Sequence, residues 1–463
     1  MTQLIETKIK YASPLMVKRI SWSETGTILA MSLLIGLLTG VGVLVFFRAV
    51  LWCRAFFLAN WAGDYAPATA ASGATVLLPI AHLWAIPCIM TLGGLLTGLL
   101  AHYFTKDAPG HSLNYILHAD RHRDGQIPLR ILCVKTLTAI CTISSGGSIG
   151  RGGPDALIGA GIGSLLTRAL SPDNAKVRHS AILVGVAAGI AAIFKAPLGG
   201  ALFAIEMLAT QWLIIEILLP SIVAATTSYG VFTLFEGRMP IFGTIHTAAL
   251  QQPLLFLGYA LLGIIVGTLS LLYPLMLEVV SRLFRAVAKR LPLLSILNPA
   301  VGGMAVGVLG MLFPQVIGLG FGWVQFALNG TIGPLLVGFP SGFVQVPILA
   351  LVLLMLMKLL AITLTLGSGG SGGILGPGFV LGSFIGLAVW FACHAAAPTL
   401  ITTASLAGFV VAGMSAFMGG IMRAPLACAV IALEMTNSLS FLFPTLLVTL
   451  IAWRIAKNHP LLT

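Results

Sequence analysis

Residues 144–159, SSGGSIGRGGPDALIG, place six glycines, one arginine and one aspartate within otherwise apolar sequence. Each glycine costs a helix about 1 kcal/mol against alanine, so a run this rich in glycine breaks a helix rather than extending it. Inside a bilayer an unwound backbone must line a cavity or be buried in protein, because lipid offers it no hydrogen bonds. The stretch has a twin: SGGSIGRGGP at Ser145–Pro154 and SGGSGGILGP at Ser368–Pro377 align without a gap. A helix restarting after such a break turns free N–H groups and about half a positive charge toward the gap, a setting that binds anions. Neither break supplies a ring of acids or an acid-bearing loop suited to a cation.

The elements that carry these breaks recur in the same order in both halves. Lys135 and Lys358 precede their glycine segments by the same distance. Downstream, KAPLGGALFAIEM (Lys195–Met207) is in register with RAPLACAVIALEM (Arg423–Met435), which sets Glu206 opposite Glu434. Two repeats with glycine-interrupted segments at corresponding places predict a transporter-like fold with its binding site at the repeat interface. From the residues alone, the expectation is an anion pathway through a membrane.

Composition predicts an all-α polytopic membrane protein. The 463 residues are 58% hydrophobic and 8% charged, and the mean hydropathy is +1.03. No Asp, Glu, Lys or Arg occurs from Thr25 to Phe47, and Lys358 stands alone among charged residues between Arg290 and Arg423. At about 20 residues per crossing, the apolar sequence could hold a dozen or more helices. The net charge of +12 does not imply nucleic acid, because the basic residues gather in short connections. These are Lys8, Lys10, Lys18 and Arg19 before the first span and Arg282, Arg285, Lys289 and Arg290 in one loop. By the positive-inside rule they are cytoplasmic, and Arg454 and Lys457 suggest that both termini are too, in a cell (inner) membrane protein. No cleavable signal peptide is expected, nor a soluble regulatory domain after the last span. Six scattered cysteines read as small buried residues, and no metal site, cofactor, nucleophile elbow or Walker loop is expected. Nothing suggests an enzyme.

With these motifs assembled, the chain resembles the CLC chloride channels and transporters from about Thr25 to its end. GRGGP (Gly150, Arg151, Gly152, Gly153, Pro154) resembles the family's G(K/R)EGP, and GILGP (Gly373, Ile374, Leu375, Gly376, Pro377) its GxFxP. PGHSLNYIL falls where GSGIP belongs, aligning Gly110, His111, Ser112, Leu113 and Asn114. His111 then takes the usual serine place, and a shift of one residue would give it to Ser112. HPLLT at the end resembles K-P-L-Y, which puts Leu462 at the family's tyrosine. The resemblance implies a homodimer with a pore in each subunit. It also implies about eighteen tilted and broken helices in two inverted repeats, about 25–235 and 250–455, after a cytoplasmic segment 1–24. Two or three chloride ions would be bound by motif amides, with membrane lipid around and no nucleic acid.

The departures from the pattern bear on function. The family's outer glutamate blocks the outer anion site and, in antiporters, carries the proton; Gly152 stands there. A second, inner glutamate of the antiporters corresponds to Met207. With both carboxylates replaced, the expectation is a passive, proton-uncoupled channel or uniporter, constitutively open. Asp155, one helical turn after Gly152, could serve as a displaced gate or satisfy N–H groups in the first turn. His111 reads as pore-lining or as a buried histidine bonded to backbone. Arg151 is expected to hold the broken loop through backbone carbonyls. Lys135 and Lys358 either raise the field around the pore or pair with Glu206 and Glu434. Two alternatives stand beside the passive reading: a chloride/proton antiporter working through Asp155, His111 or water, and a non-transporting scaffold. The retained glycines argue against the scaffold, since an inert bundle would gain stability by replacing them.

Overall fold

A backbone surrounded by lipid must bond to itself, and the apolar runs accordingly form helices. The computed structural model describes residues 22–63, 67, 69–72, 82–105, 110–170, 174–208, 214–245, 255–290, 294–340 and 346–457. Before the first glycine break run α1 (Trp22–Arg54), α2 (Ala85–Phe104), α3 (Ser112–His122) and α4 (Leu129–Ser144). After it come α5 (Gly152–Leu170), α6 (Ala175–Phe194), α7 (Pro197–Leu208) and α8 (Ile214–Glu236). The second half begins with α9 (Leu255–Ser270), α10 (Leu272–Arg290), α11 (Leu294–Leu312), α12 (Phe321–Leu328) and α13 (Pro347–Gly367). Beyond the second break follow α14 (Leu375–Ala396), α15 (Leu406–Met422), α16 (Pro425–Thr436) and α17 (Leu442–Ala456). Two-residue strands, β1 (Gly110–His111) and β2 (Ser371–Gly372), pair in parallel between the halves.

Among the described residues nine helical segments are long and apolar enough to cross a membrane. Their burial separates inner from outer ones. The α15 window is 100% buried and the α6 window 94%, whereas those of α9–α10 and α17 are 39% buried. Leu257, Leu275, Val279 and Phe443 are exposed on the outer helices, as expected of faces turned to lipid. Most of the cysteines depart from expectation: Cys428 alone is buried, and Cys88 and Cys133 are exposed. An outer surface that meets lipid tolerates such residues as readily as the core does. The basic group Arg282, Arg285, Lys289 and Arg290 is also not a loop but the C-terminal part of α10. There Arg282 Nε and Arg285 Nη2 bond to Glu278 Oε1 at 2.6 and 3.2 Å, the first pair at i,i+4 spacing. Lys8, Lys10, Lys18, Arg19 and Leu462 lie outside the described residues, as does nearly all of segment 1–24.

The two halves make the same contacts reciprocally. At the crossing of α5 and α6, a Cβ on Gly159 would meet the carbonyl oxygen of Gly185, and one on Gly185 that of Gly159. The crossing of α14 and α15 repeats this with Gly382 and Gly413. The last turns before the breaks also exchange bonds: Ser371 N–H donates to Thr142 Oγ1 and Ser148 N–H to Thr365 Oγ1, each at 3.2 Å. Gly146 and Gly369 turn the chain out of α4 and α13 at φ 103° and 105°, a conformation that side chains disfavour. These pairs put the pseudo-two-fold axis through the two glycine breaks.

Candidate functional site

On that axis Gly150 N–H donates to Gly373 O at 2.7 Å, and Gly373 N–H returns the bond to Gly150 O at 2.9 Å. The bridge ties the two breaks back to back. Helix α5 starts two residues after Gly150 and α14 two after Gly373, so both N-termini begin beside it. A Cβ on Gly153 would lie 2.9 Å from the Cα of Gly373, which is why this approach needs glycine. Pro154 and Pro377 sit in the first turns, where the amide they lack has no helical acceptor to lose. The remaining first-turn amides have no intrahelical partners. The crossing thus gathers two positive helix ends, a setting for an anion.

The first motif joins from β1. Gly110 pairs with Ser371 and His111 with Gly372. Ile374 N–H donates to His111 Nε2 at 3.3 Å, so the neutral ring carries its proton on Nδ1. Among the described residues that Nδ1 has no hydrogen-bond partner, and neither does the buried Ser112 Oγ. The structure therefore brings both serine-place candidates to the breaks. His111 is bonded to backbone, the second of its two expected roles, and lies beside the second glycine break. Leu113 is fully buried in the core, whereas Asn114 is exposed on α3.

At the second motif, a side chain at residue 152 would point at the ring of Phe194, whose Cε2 lies 2.8 Å from an added Cβ. Arg151 places its guanidinium over the Phe47 ring, 4.5 Å from the centroid. The expectation that it gathers carbonyls is corrected: a ring face takes its charge, as arginine's flat, weakly hydrated head favours. Asp155 is fully buried, and among the described residues neither carboxylate oxygen has a hydrogen-bond partner. It does not satisfy first-turn amides; Arg151 is the positive charge acting on it. Met207 sits half-buried against the core in the last turn of α7.

A family model described as Voltage gated chloride channel matches residues 93–457. That span holds all three motifs and both halves of the site. The chain belongs to the voltage gated chloride channel family. Among its relatives, the H(+)/Cl(-) exchange transporter ClcA of Cronobacter sakazakii is 29% identical over 446 residues, 93% of this chain and 86% of that protein. ClcA of Salmonella agona is 28% identical over 434 residues, 93% of this chain and 85% of its own. Two solved structures resemble the fold at TM-score 0.74. A slow cyanobacterial Cl-/H+ antiporter is 23% identical, covering 93% of this chain and 94% of that one. A CLC-type fluoride/proton antiporter is 21% identical, covering 96% and 98%. Helices and family together make the chain an integral membrane protein with the CLC fold.

In this CLC chain the repeated acids and lysines do not pair with one another. Glu206 accepts the Leu426 and Ala427 amides at 3.1 and 2.7 Å, capping α16. Glu434 accepts those of Leu198 and Gly199 at 3.2 and 2.8 Å, capping α7. Each half thus supplies the acid for the other's helix N-terminus, where free amides and dipole outcompete a distant ammonium. Lys358 Nζ instead donates to Val316 O and Gly318 O at 3.0 and 2.7 Å. Lys135 Nζ lies over the Tyr115 ring at 5.5 Å. Sequence reasoning missed Tyr115, Phe194 and Leu319, whose Cδ1 abuts the places where Gly150 and Gly376 lack a side chain. Phe194 was the legible one, as it directly precedes the matched KAPL segment.

Proposed function

We propose that this chain carries chloride and similar small anions across a membrane through the crossing of its two breaks. The carrying observation is the reciprocal Gly150–Gly373 bridge, which sets the N-termini of α5 and α14 side by side. The binding residues are Gly110–Asn114 around His111, Gly150–Pro154 and Gly373–Pro377, acting chiefly through backbone N–H groups. The names of the ClcA relatives support anion transport. In the homodimer we propose, each subunit carries its own path.

The finer reading is passive flow without proton exchange. It rests on Gly152 and Met207, neither of which can hold a proton at the outer or inner position. Anion flow would then follow the electrochemical gradient, about 2.3 kcal/mol per charge per 100 mV. A second reading, proton-coupled exchange, is favoured by the names of the relatives and by Asp155, whose buried carboxyl lacks a partner among the described residues. Chloride uptake by liposomes holding the purified chain tests transport itself: no uptake above protein-free liposomes contradicts it. Asp155→Asn separates the two readings. Passive flow predicts unchanged flux and pH response, and a loss of proton movement supports exchange.

A further inference from the structure

Gly152 has no side chain, yet the volume such a side chain would enter is filled. A Cβ there would lie 2.8 Å from Cε2 and 3.0 Å from Cζ of Phe194, and 3.5 Å from Cβ of Leu375. Residue 375 opens α14, so the ring stands where the first turns of the two broken helices meet. Phe194 is 2% exposed. Its ring meets Phe379 edge-on at 5.9 Å and lies 6.5 Å from Phe321, between centroids.

The backbone behind the ring is fixed. Phe194 ends α6, and Lys195 turns the chain at a left-handed φ of 52°. Ala196 N–H donates to Ala191 O at 3.0 Å. Lys195 Nζ donates to the carbonyls of Glu236, Gly237 and Met239 at 3.2, 2.8 and 2.9 Å. The side-chain torsions are therefore the freedom left to this residue. The repeat adds a second observation. Its register matches Gly152 with Leu375 and Phe194 with Met422. The half that is smallest at its motif thus carries a rigid ring at its helix end, where the other half has leucine and a flexible methionine.

We propose that the Phe194 ring closes the outer anion position, in the place a side chain at residue 152 would otherwise take. The proposal rests on the anion-transport reading. An anion reaching the free amides of α5 must turn the ring away from Gly152, and the ring returns when the anion leaves. Side-chain rotation of this kind is faster than ion-coupled rearrangements of whole helices. A benzene ring takes up no proton, and its edge is weakly positive, so it can retreat beside an anion without a charge penalty. Closure by Phe194 itself accordingly adds no pH dependence to this end of the path, where Arg151, Asp155 and His111 are the titratable groups, and the path is not held permanently open by the loss of the glutamate.

Chloride efflux from liposomes, compared for the native chain, Phe194→Leu, Phe194→Ala and Phe194→Trp, tests this. Thermal melts in detergent establish which variants are folded, and Phe194→Leu keeps the site apolar if the alanine variant is lost. The expected result is efflux several-fold faster for leucine and alanine and slower for tryptophan, with no change in pH dependence. Folded variants that move chloride at the native rate make the ring mere filling and overturn the proposal while leaving transport intact. If neither the native chain nor any folded variant moves chloride, the transport reading fails and the proposal with it.

Discussion

At the scale of single residues, three positions define the proposed site: 152 without a side chain, 111 with an imidazole and 194 with an aromatic ring. Restoring a carboxylate at residue 152 tests the logic of the vacancy. Gly152→Glu places an anion beside two helix N-termini, where it competes with the transported one. Because an ordinary glutamate titrates near pH 4.3, it is charged and blocking at neutral pH and neutral below about pH 4. Anion flux from this variant should fall below native at pH 7.5 and recover as the pH is lowered. A flux at pH 7.5 equal to native would mean that residue 152 does not face the anion path. His111 works differently: its Nε2 is committed to the Ile374 amide, which leaves Nδ1–H as the donor available to a ligand. Position 111 was legible in the sequence as a candidate; the bond was not, because it joins residues 263 apart.

At the scale of elements, glycine crossings hold each half together, and exchanged caps and hydrogen bonds tie the two halves to each other. Glu206 caps α16 and Glu434 caps α7, so the same chemistry is used twice. Glu206→Gln and Glu434→Gln keep shape and remove charge, and each should cost about 1 kcal/mol, typical of a lost charged cap. Equal falls in melting temperature are expected, and a fall for one variant alone would contradict the reciprocal arrangement. The repeat itself was open to reading because ten residues of one break align with ten of the other. What the acids touch was not legible. Their recurrence with lysines in both halves left ion pairs open as one of two alternatives, yet amide groups at a helix start offer two aligned donors without a long side chain to immobilise. The basic group at 282–290 was misread as a loop for a related reason: charge density marks a membrane boundary, but not whether a helix crosses it.

At the scale of the whole molecule, two pseudo-symmetric halves converge on one bridge and differ in the side chains they bring to it. The fold was legible from the glycine breaks and the apolar runs, because a membrane leaves a chain few other options. The meeting of the two breaks was legible where it is backbone, at Gly150, Gly153 and Gly373. It was not legible where a side chain enters from a distant loop, as that of Leu319 does. In the function proposed above, the two ends of the anion path carry Gly152 and Met207, neither of which can hold a proton. The most direct test is chloride efflux from liposomes holding the purified chain, with external pH recorded and a proton gradient imposed. The account predicts that chloride leaves only when a potassium ionophore shunts the charge, and that protons do not move against their gradient. Protons driven uphill as chloride flows would contradict it, and the coupling would then have to run through Asp155 or His111.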